Sequence, residues 1–309
     1  MTKVHLDTDL GGDIDDLCAL AMLLRWEGVE LTGITTVAED HGRRAGYVRY
    51  VLELENRSEI PVAAGADVSA GYYRYPDLGY PDEERYWAQV IPPASNKLQV
   101  ALELLRHSVE QGAIIVAIGP YTNLFLLDQK YPGILKKTKL FLMGGYIYPI
   151  RSGFPSWGND SDWNIQVDVR SAEYVIEHSE PTLIPLTVTV ETALRRAHLD
   201  DLQRSGTLGQ LLARQAEAFA VDEQNETRFG KTCEGLPDDF INFLHDPLAC
   251  AIALGWSDGV EIKEIPLVLE EKDAWLHERI DPSGKPTRVV TKIDGPRFNE
   301  FCLEKIMTG

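Results

Sequence analysis

The sequence predicts an α/β protein built on an open, mostly parallel (mixed) sheet flanked by helices. Three observations carry that prediction. Short apolar runs alternate with helical periodicity from end to end, as in strands joined by crossover helices. The first run, Val4 to Leu6, leads into Asp7-Thr8-Asp9-Leu10-Gly11-Gly12-Asp13-Ile14-Asp15-Asp16, a strand-to-helix turn with two adjacent glycines. At 309 residues, with ordinary apolar and charged fractions and no linker or repeat, the chain is expected to form one domain, residues 1–309.

Val4 to Leu6 reads as the first strand. Leu17, Leu20, Ala21 and Leu24 recur at i, i+3, i+4 and i+7, while Cys18, Met22 and Leu23 fill the other side. The helix Leu17 to Leu24 is therefore expected to be largely buried. Val29 to Val37 follows as a strand, Arg44 to Glu55 as a helix, and Pro61 to Ala64 as a short strand. Periodicity fails from Ser69 to Pro93, where Tyr72, Tyr73, Tyr75, Tyr80, Tyr86 and Trp87 mix with glycine, proline and charge. So long a loop is more often functional than idle, and it reads equally as a lid or as a packing excursion. Order returns with a helix over Leu98 to Glu110 and a strand over Ala113 to Ile118. Gly119-Pro120-Tyr121-Thr122-Asn123, a further helix, and a strand over Leu140 to Met143 come next. Tyr146 to Trp163 is a second irregular loop. Ala172 to His178 reads as helix, Leu183 to Val188 as strand, Leu208 to Val221 as helix and Asp222 to Phe243 as a third irregular stretch. His245-Asp246-Pro247 opens the apolar helix Leu248 to Leu254, with proline tolerated in the first turn. Ile262 to Leu269 and Arg288 to Ile293 are late strands, and Phe298 to Met307 is the closing helix.

The net charge of −18 argues against nucleic acid or an anionic membrane as partner. No apolar run approaches the ~20 residues of a membrane span. Cys18, Cys233, Cys250 and Cys302 show neither CxxC nor zinc spacing, and Cys18 and Cys250 fall inside apolar helices as buried thiols do. With no signal-peptide core at the N-terminus, a cytoplasmic protein is expected.

Five aspartates within ten residues call for a cause, because crowded carboxylates raise one another's pKa. A helix N-terminus accounts for one or two of them through capping and the helix dipole. Five are accounted for by a hard cation such as Ca²⁺ or Mg²⁺, since the cluster offers oxygens and no Cys or His. Each irregular segment begins at a strand's carboxyl end, where open α/β sheets place their sites. Convergence there would add Asn123, Asp162, Asn164, His245 and Asp246, a set suited to hydrolysis of a polyhydroxylated substrate. A Mg²⁺-dependent phosphohydrolase with Asp7 as nucleophile is the second reading of the Asp7-Thr8-Asp9 motif.

Four blocks separate these readings. Asp7-Thr8-Asp9-Leu10-Gly11-Gly12-Asp13-Ile14-Asp15-Asp16 looks like a DTDxG…DD signature lengthened by two residues. Ile118-Gly119-Pro120-Tyr121-Thr122-Asn123 looks like GPLTN. Leu142-Met143-Gly144-Gly145 with Asp162-Trp163-Asn164-Ile165-Gln166-Val167-Asp168 looks like LMGG…EFNIxxD, and Leu244-His245-Asp246-Pro247-Leu248-Ala249 matches LHDPLA. In these blocks the chain resembles the nucleoside hydrolases, the inosine–uridine-preferring N-ribohydrolases, over nearly its full length. A catalytically silent nucleoside-binding protein on the same fold is the third reading.

The resemblance implies a Rossmann-like nucleoside hydrolase fold and a Ca²⁺ site made by Asp9, Asp16, Asp246 and the backbone carbonyl of Ile118. It implies that Asp9 takes a proton from the water held at the metal, and that Asp15, Asn164 and Asp246 hold ribose hydroxyls. By the same resemblance Asp40, Met143, Asn159, Asp162 and Trp163 contact substrate, and His245 stands where the family often has the acid that assists the departing base. A nucleoside substrate and a homodimer or homotetramer are also implied. The chemistry agrees: N-glycosidic cleavage builds positive charge at the anomeric carbon, which carboxylates stabilise. A histidine tuned near pH 7 would serve the leaving base, and Trp157 and Trp163 could stack on it.

The sequence also departs from the family pattern. Asp162 is one methylene shorter than the family's ribose-binding glutamate, Glu39-Asp40 replaces glycine-asparagine, and the loop from Gly145 to Asp162 aligns poorly, with Asn159 or Ser156 able to fill an upstream asparagine role. These changes leave the metal and anomeric chemistry intact, and the expectation is a modified or non-standard nucleoside.

Overall fold

The computed structural model describes residues 1–75 and 81–308; Tyr80 lies outside the described residues. β1 (Thr2–Thr8) leads through the acidic turn into α1 (Asp15–Arg25), followed by β2 (Val29–Thr36), α2 (Arg43–Leu54) and β3 (Val62–Ala64). The aromatic segment contains the short α3 (Glu83–Tyr86). Then come α4 (Leu98–Glu110), β4 (Ile114–Ala117), α5 (Thr122–Lys130) and β5 (Leu140–Met143). α6 (Trp163–Gln166), α7 (Val169–His178), β6 (Pro181–Ile184) and α8 (Leu186–Thr189) follow, with β7 (Leu194–Arg195), α9 (Leu199–Arg204), α10 (Thr207–Glu223) and β8 (Phe240–Asn242) next. The chain closes with α11 (His245–Ala253), β9 (Glu261–Lys272), β10 (Trp275–Ile280), β11 (Lys285–Lys292) and α12 (Gly295–Met307).

Nine strands form one sheet in the order β10-β9-β11-β6-β5-β4-β1-β2-β3. The pairs from β3 across to β11 are parallel, and β9 runs antiparallel to both β10 and β11. The mixed, mostly parallel sheet expected from the sequence is the one that forms. Successive residues of a strand face opposite sides. Ile115 and Ala117 accordingly join one apolar cluster with Leu140, Leu142 and Val175, while Val116 joins a second with Phe141, Met143 and the α1 and α11 side chains. Central strands are thus covered on both faces, which explains their continuous apolar runs.

β2 and β3 extend to one side of β1, and β4, β5 and β6 to the other. The chain therefore reverses direction across the sheet between β1 and β4, the place where open sheets leave a crevice. Asp9 and Ile118 emerge at that place, just past the ends of their strands.

Among the differences from expectation, three stand out. The strand foreseen over Leu183 to Val188 stops at Ile184, because Pro185 has no N–H for the ladder and residues 186–189 turn helical. Asp222 to Phe243 holds the last residues of α10, a π-helical turn at Glu226–Gly230, and β8. β10 was not foreseen. Its inward positions are Leu276 and Glu278, and a buried glutamate hides the apolar alternation.

Candidate active site

A cavity of about 690 Å³ opens over the carboxyl ends of β1, β4 and β5. Asp15 and Asp16 begin α1, Asp246 lies in the first turn of α11, and these two helices pack together. Each of the three aspartates offers a carboxylate oxygen within 4.8 Å of the others. The Asp246 N–H donates to Asp15 Oδ2 at 3.2 Å, joining residues 231 positions apart. The Thr8 hydroxyl donates to Asp16 Oδ1 and accepts from the Leu10 N–H at 3.1 Å. Burial lifts all three carboxyls well above their usual range, and repulsion from neighbouring aspartates lifts them further. Protons or a cation relieve such repulsion, and three hard oxygens suit Ca²⁺ or Mg²⁺. The donor set fits a metal.

Asp9, half-buried at the end of β1, also lines the cavity, but the tightest carboxylate trio contains Asp15 in its place. Burial raises the Asp9 carboxyl, against the pull of Arg44 and an interaction with Trp163. Arg44 is buried and donates to the Asp9 backbone carbonyl and, at 2.9 Å, to that of Ala38. At Gly119, just past β4, a Cβ would lie 2.7 Å from Val37 Cγ1 and 2.9 Å from both N and Oδ1 of Asp9. Glycine is the residue that lets the two strand ends approach.

Asn164, nearly buried on α6, donates from Nδ2 to the carbonyl of Ile118 at 2.9 Å and to that of Met143 at 3.1 Å. It thus links the ends of β4 and β5, and all three residues line the cavity. Asp162 lines it too, yet its oxygens accept from the Gly145 and Ile165 N–H groups, so it caps α6. Trp163, 44 % exposed, stacks on Tyr75 at 5.9 Å with the rings 8° from parallel. Trp157 lines the cavity as well, edge to face with Phe229 and Phe243.

His245 lines the cavity with Nδ1 at 2.6 Å from the Thr189 hydroxyl. Burial pushes its pKa down to about 3, whereas the sequence led us to expect a histidine tuned near pH 7. The imidazole is neutral at neutral pH.

Two expected substrate contacts lie elsewhere. Asp40 is exposed at the N-terminal side of α2, outside the cavity, and its neighbour Glu39 turns inward to accept from the Arg44 and Ala45 N–H groups. Asn159 donates to the Leu276 carbonyl at 3.1 Å and does not line the cavity. Asp7 lies beneath the cavity, wholly buried, with Oδ1 accepting from Thr35 and Asn123. A nucleophile for phosphoryl transfer could not be reached there. Sequence reasoning missed Asn242, Arg228 and Phe229 as lining residues; only the closeness of Asn242 to the His245-Asp246 block signalled any of them.

Fold and carboxylates together define a metal-dependent hydrolase sited at the switch point of an open α/β sheet. The family described as inosine-uridine preferring nucleoside hydrolase matches residues 4–300, and the chain belongs to it. It is 26% identical over 301 residues to the pyrimidine-specific ribonucleoside hydrolase RihA of Enterobacter sp. (strain 638), covering 94% of this chain and 87% of that one. The purine-preferring ribonucleoside hydrolase from Gardnerella vaginalis shares the fold with a TM-score of 0.78 at 24% identity, over 99% of this chain and 98% of that one. A plant nucleoside hydrolase, PpNRh1, does so with a TM-score of 0.79 at 19% identity, over 100% and 99% of the two chains. Hydrolysis of the N-glycosidic bond of a ribonucleoside is the reaction of this family. No helix among the described residues is long and apolar enough to cross a membrane.

Proposed function

We propose that this chain is a Ca²⁺-dependent ribohydrolase whose substrate is a modified or non-standard nucleoside. The meeting of Asp15, Asp16 and Asp246 from two helices far apart in sequence is the observation that supports this reading. Asp16 and Asp246, with Asp9 and the Ile118 carbonyl, would hold the ion, and Asp15 lies close enough to share it with the sugar. Bound there, Ca²⁺ supplies charge neutralisation and a lowered pKa for water. Asp15, Asn164 and Asp246 orient the ribose hydroxyls, Met143 and Trp163 border the sugar and base, and Asp9 accepts the proton of the attacking water. The ring of carboxylates stabilises positive charge as it grows at the anomeric carbon. His245 acts as a neutral hydrogen-bond donor to the leaving base, in the tautomer that carries its proton on Nε2 and leaves Nδ1 to the Thr189 hydroxyl.

Asp162 supports the reading of an altered substrate, since its oxygens are engaged in capping α6 and it stands where the family has a longer acid. A homodimer or homotetramer in the cytoplasm is part of the same proposal. The test is a nucleoside panel assayed for free base and free ribose, with and without a chelator. Ribose release that stops on chelation and returns with Ca²⁺ is expected. Undiminished release in chelator overturns the metal, and turnover of inosine and uridine equal to or better than that of modified nucleosides overturns the altered substrate.

A further inference from the structure

Behind the part of the cavity that carries Asp162 lies an acid with no part in the proposed reaction. Glu278 points inward from the edge strand β10, two residues from Leu276, and is 5 % exposed. Its Oε2 accepts from the Tyr146 N–H at 3.4 Å, and its Oε1 is buried without a partner among the described residues. Asp162, also buried, accepts from the Gly145 N–H through Oδ2 and from the Ile165 N–H at 3.3 Å through Oδ1. Two acids, one on β10 and one capping α6, thus grip successive amides of the turn that leaves β5. The residue before that turn is held too. The Met143 carbonyl accepts from the Tyr121 hydroxyl at 2.8 Å and from Asn164 at 3.1 Å.

The groups around Glu278 supply no positive charge. On the buried side it faces Asp162 and the Tyr121 phenol, which burial keeps neutral. Its partner on β9 is Leu269, and Glu173 on α7 faces Glu177 and Glu271. The outward residues of β10 are engaged elsewhere: Arg74 lies over the Trp275 ring at 3.8 Å, His277 is 3.5 Å from Asn159, and Arg279 pairs with Asp281 at 2.5 Å. Among the described residues no ion pair reaches Glu278 or Asp162. A carboxylate stripped of water with no cation beside it is costly, and a second carboxylate adds repulsion. Burial and Asp162 push the Glu278 carboxyl up to about 8, and burial lifts Asp162 to about 6.

We infer that Glu278 is a positioning residue that holds the turn after β5 closed as the neutral acid and lets it open when ionised. Ionisation requires water at the carboxyl, and parting the edge strand β10 from Gly145 and Tyr146 admits it. Leu276 on the same strand is the backbone unit that Gln166 grips at 2.8 and 2.9 Å, so the same opening loosens α6 and its Asn164. Closure of the cavity's β5 side is thereby tied to one proton.

The experiment sets the wild type beside Glu278→Gln, which stays neutral and keeps an acceptor for Tyr146. Glu278→Met, which has no carboxyl, is a second comparison, and thermal melts verify both folds. Amide exchange is followed by mass spectrometry in peptides spanning 140–148 and 274–280. A carboxyl raised by closure loses its advantage as pH climbs from the unfolded toward the folded pKa, by up to about tenfold in opening per pH unit. Corrected for intrinsic exchange, opening in the wild type should gain about a hundredfold on that in either variant between pH 6 and 8. Parallel slopes overturn the inference. Activity is the second readout, and it alone rests on the ribohydrolase reading. Adenosine, cytidine and 5-methylcytidine serve as substrates because their bases do not ionise between about pH 6 and 10. A neutral fraction falling from about nine-tenths at pH 7 to about one-tenth at pH 9 should lower kcat/KM about tenfold relative to Glu278→Gln. A ratio constant over that range overturns the positioning role. No ribose from any of the three removes the ribohydrolase reading, and the exchange slopes then decide on Glu278 alone.

Discussion

Gln166 follows Asn164 by two residues on α6, and its side-chain amide reads one backbone unit of β10 in both directions. Nε2 donates to the Leu276 carbonyl at 2.8 Å, and the Leu276 N–H donates to Oε1 at 2.9 Å. Replacing it by leucine keeps the volume and removes both bonds. The carbonyl retains Asn159 as a partner at 3.1 Å, but the Leu276 N–H, in a wholly buried residue, is left with none. An orphaned buried donor costs about 1–3 kcal/mol and the second lost bond about 1, giving ~2–4 kcal/mol in all. The site should suffer as well, because a misplacement of about 1 Å can cost on the order of a hundredfold in rate. Urea unfolding of Gln166→Leu should show a lower midpoint at unchanged slope, and kcat/KM should fall in the same protein when the assay is run in the folded range. A loss below about 0.5 kcal/mol with full kcat/KM would refute the reasoning that β10, through Gln166, holds α6 and its Asn164 in place.

Three other expectations concern charge and space. Burial lowers the pKa of His5 to about 3, with its nitrogens at 2.8 Å from Ser108 and 2.9 Å from Thr35. Its folded pKa is below the unfolded value, so its contribution is whole above about pH 6.5 and is lost as pH falls toward 3, at up to about 1.4 kcal/mol per pH unit. Urea midpoints of His5→Asn at pH 7, 6 and 5 should therefore fall less steeply than those of the wild type; parallel slopes would contradict this. Asp15, Asp16 and Asp246 have the opposite sign, since raised carboxyls lose stability as pH rises. Ca²⁺ at a hundredfold over its Kd should then stabilise the fold by about 2.7 kcal/mol at pH 7.5 and by less at pH 5.5, where protons compete; no shift in the melt argues against the ion. Gly119→Ala places a methyl against Val37 and Asp9, and should cut kcat/KM by about a hundredfold while chromatographic behaviour is unchanged; full activity would show that Asp9 tolerates displacement.

The acidic turn was legible because like charges packed beside glycine repel one another unless a cation or protons lie among them, and because strand ends in a parallel sheet share one rim. The sheet itself was legible in the doubly buried runs around Val4, Val116 and Leu142. What escaped depended on contacts over long sequence distances. Gln166 stood only at a variable position of the EFNIxxD-like block, and nothing in Trp275–Ile280 announced that its backbone would receive it. The family resemblance puts Asp40 in the cavity, but Glu39 turns inward to cap α2 and leaves Asp40 in solvent. His245 was located well and its ionisation was not, because adjacency to Asp246 in sequence said nothing of the aromatic and helical walls that bury it.

The lengthened turn shows how an extra acid enters a crowded site at small structural cost. Gly11 has φ of +120°, and a Cβ there would stand 2.5 Å from the Tyr47 ring, so glycine alone admits that bend. Beyond it, Ile14 is buried in the core and Asp13 is turned out toward the cavity, two anchors of opposite polarity one residue apart. Asn242 supplies the third anchor from β8, which pairs with β7 outside the nine-stranded sheet. Asp13 lines the cavity while its side chain remains exposed, and Asn242 holds its Oδ1. A longer loop serving only as a spacer would need neither the buried Asn242 nor a carboxylate directed inward. Their pairing fixes the Asp13 carboxylate at the edge of the cavity.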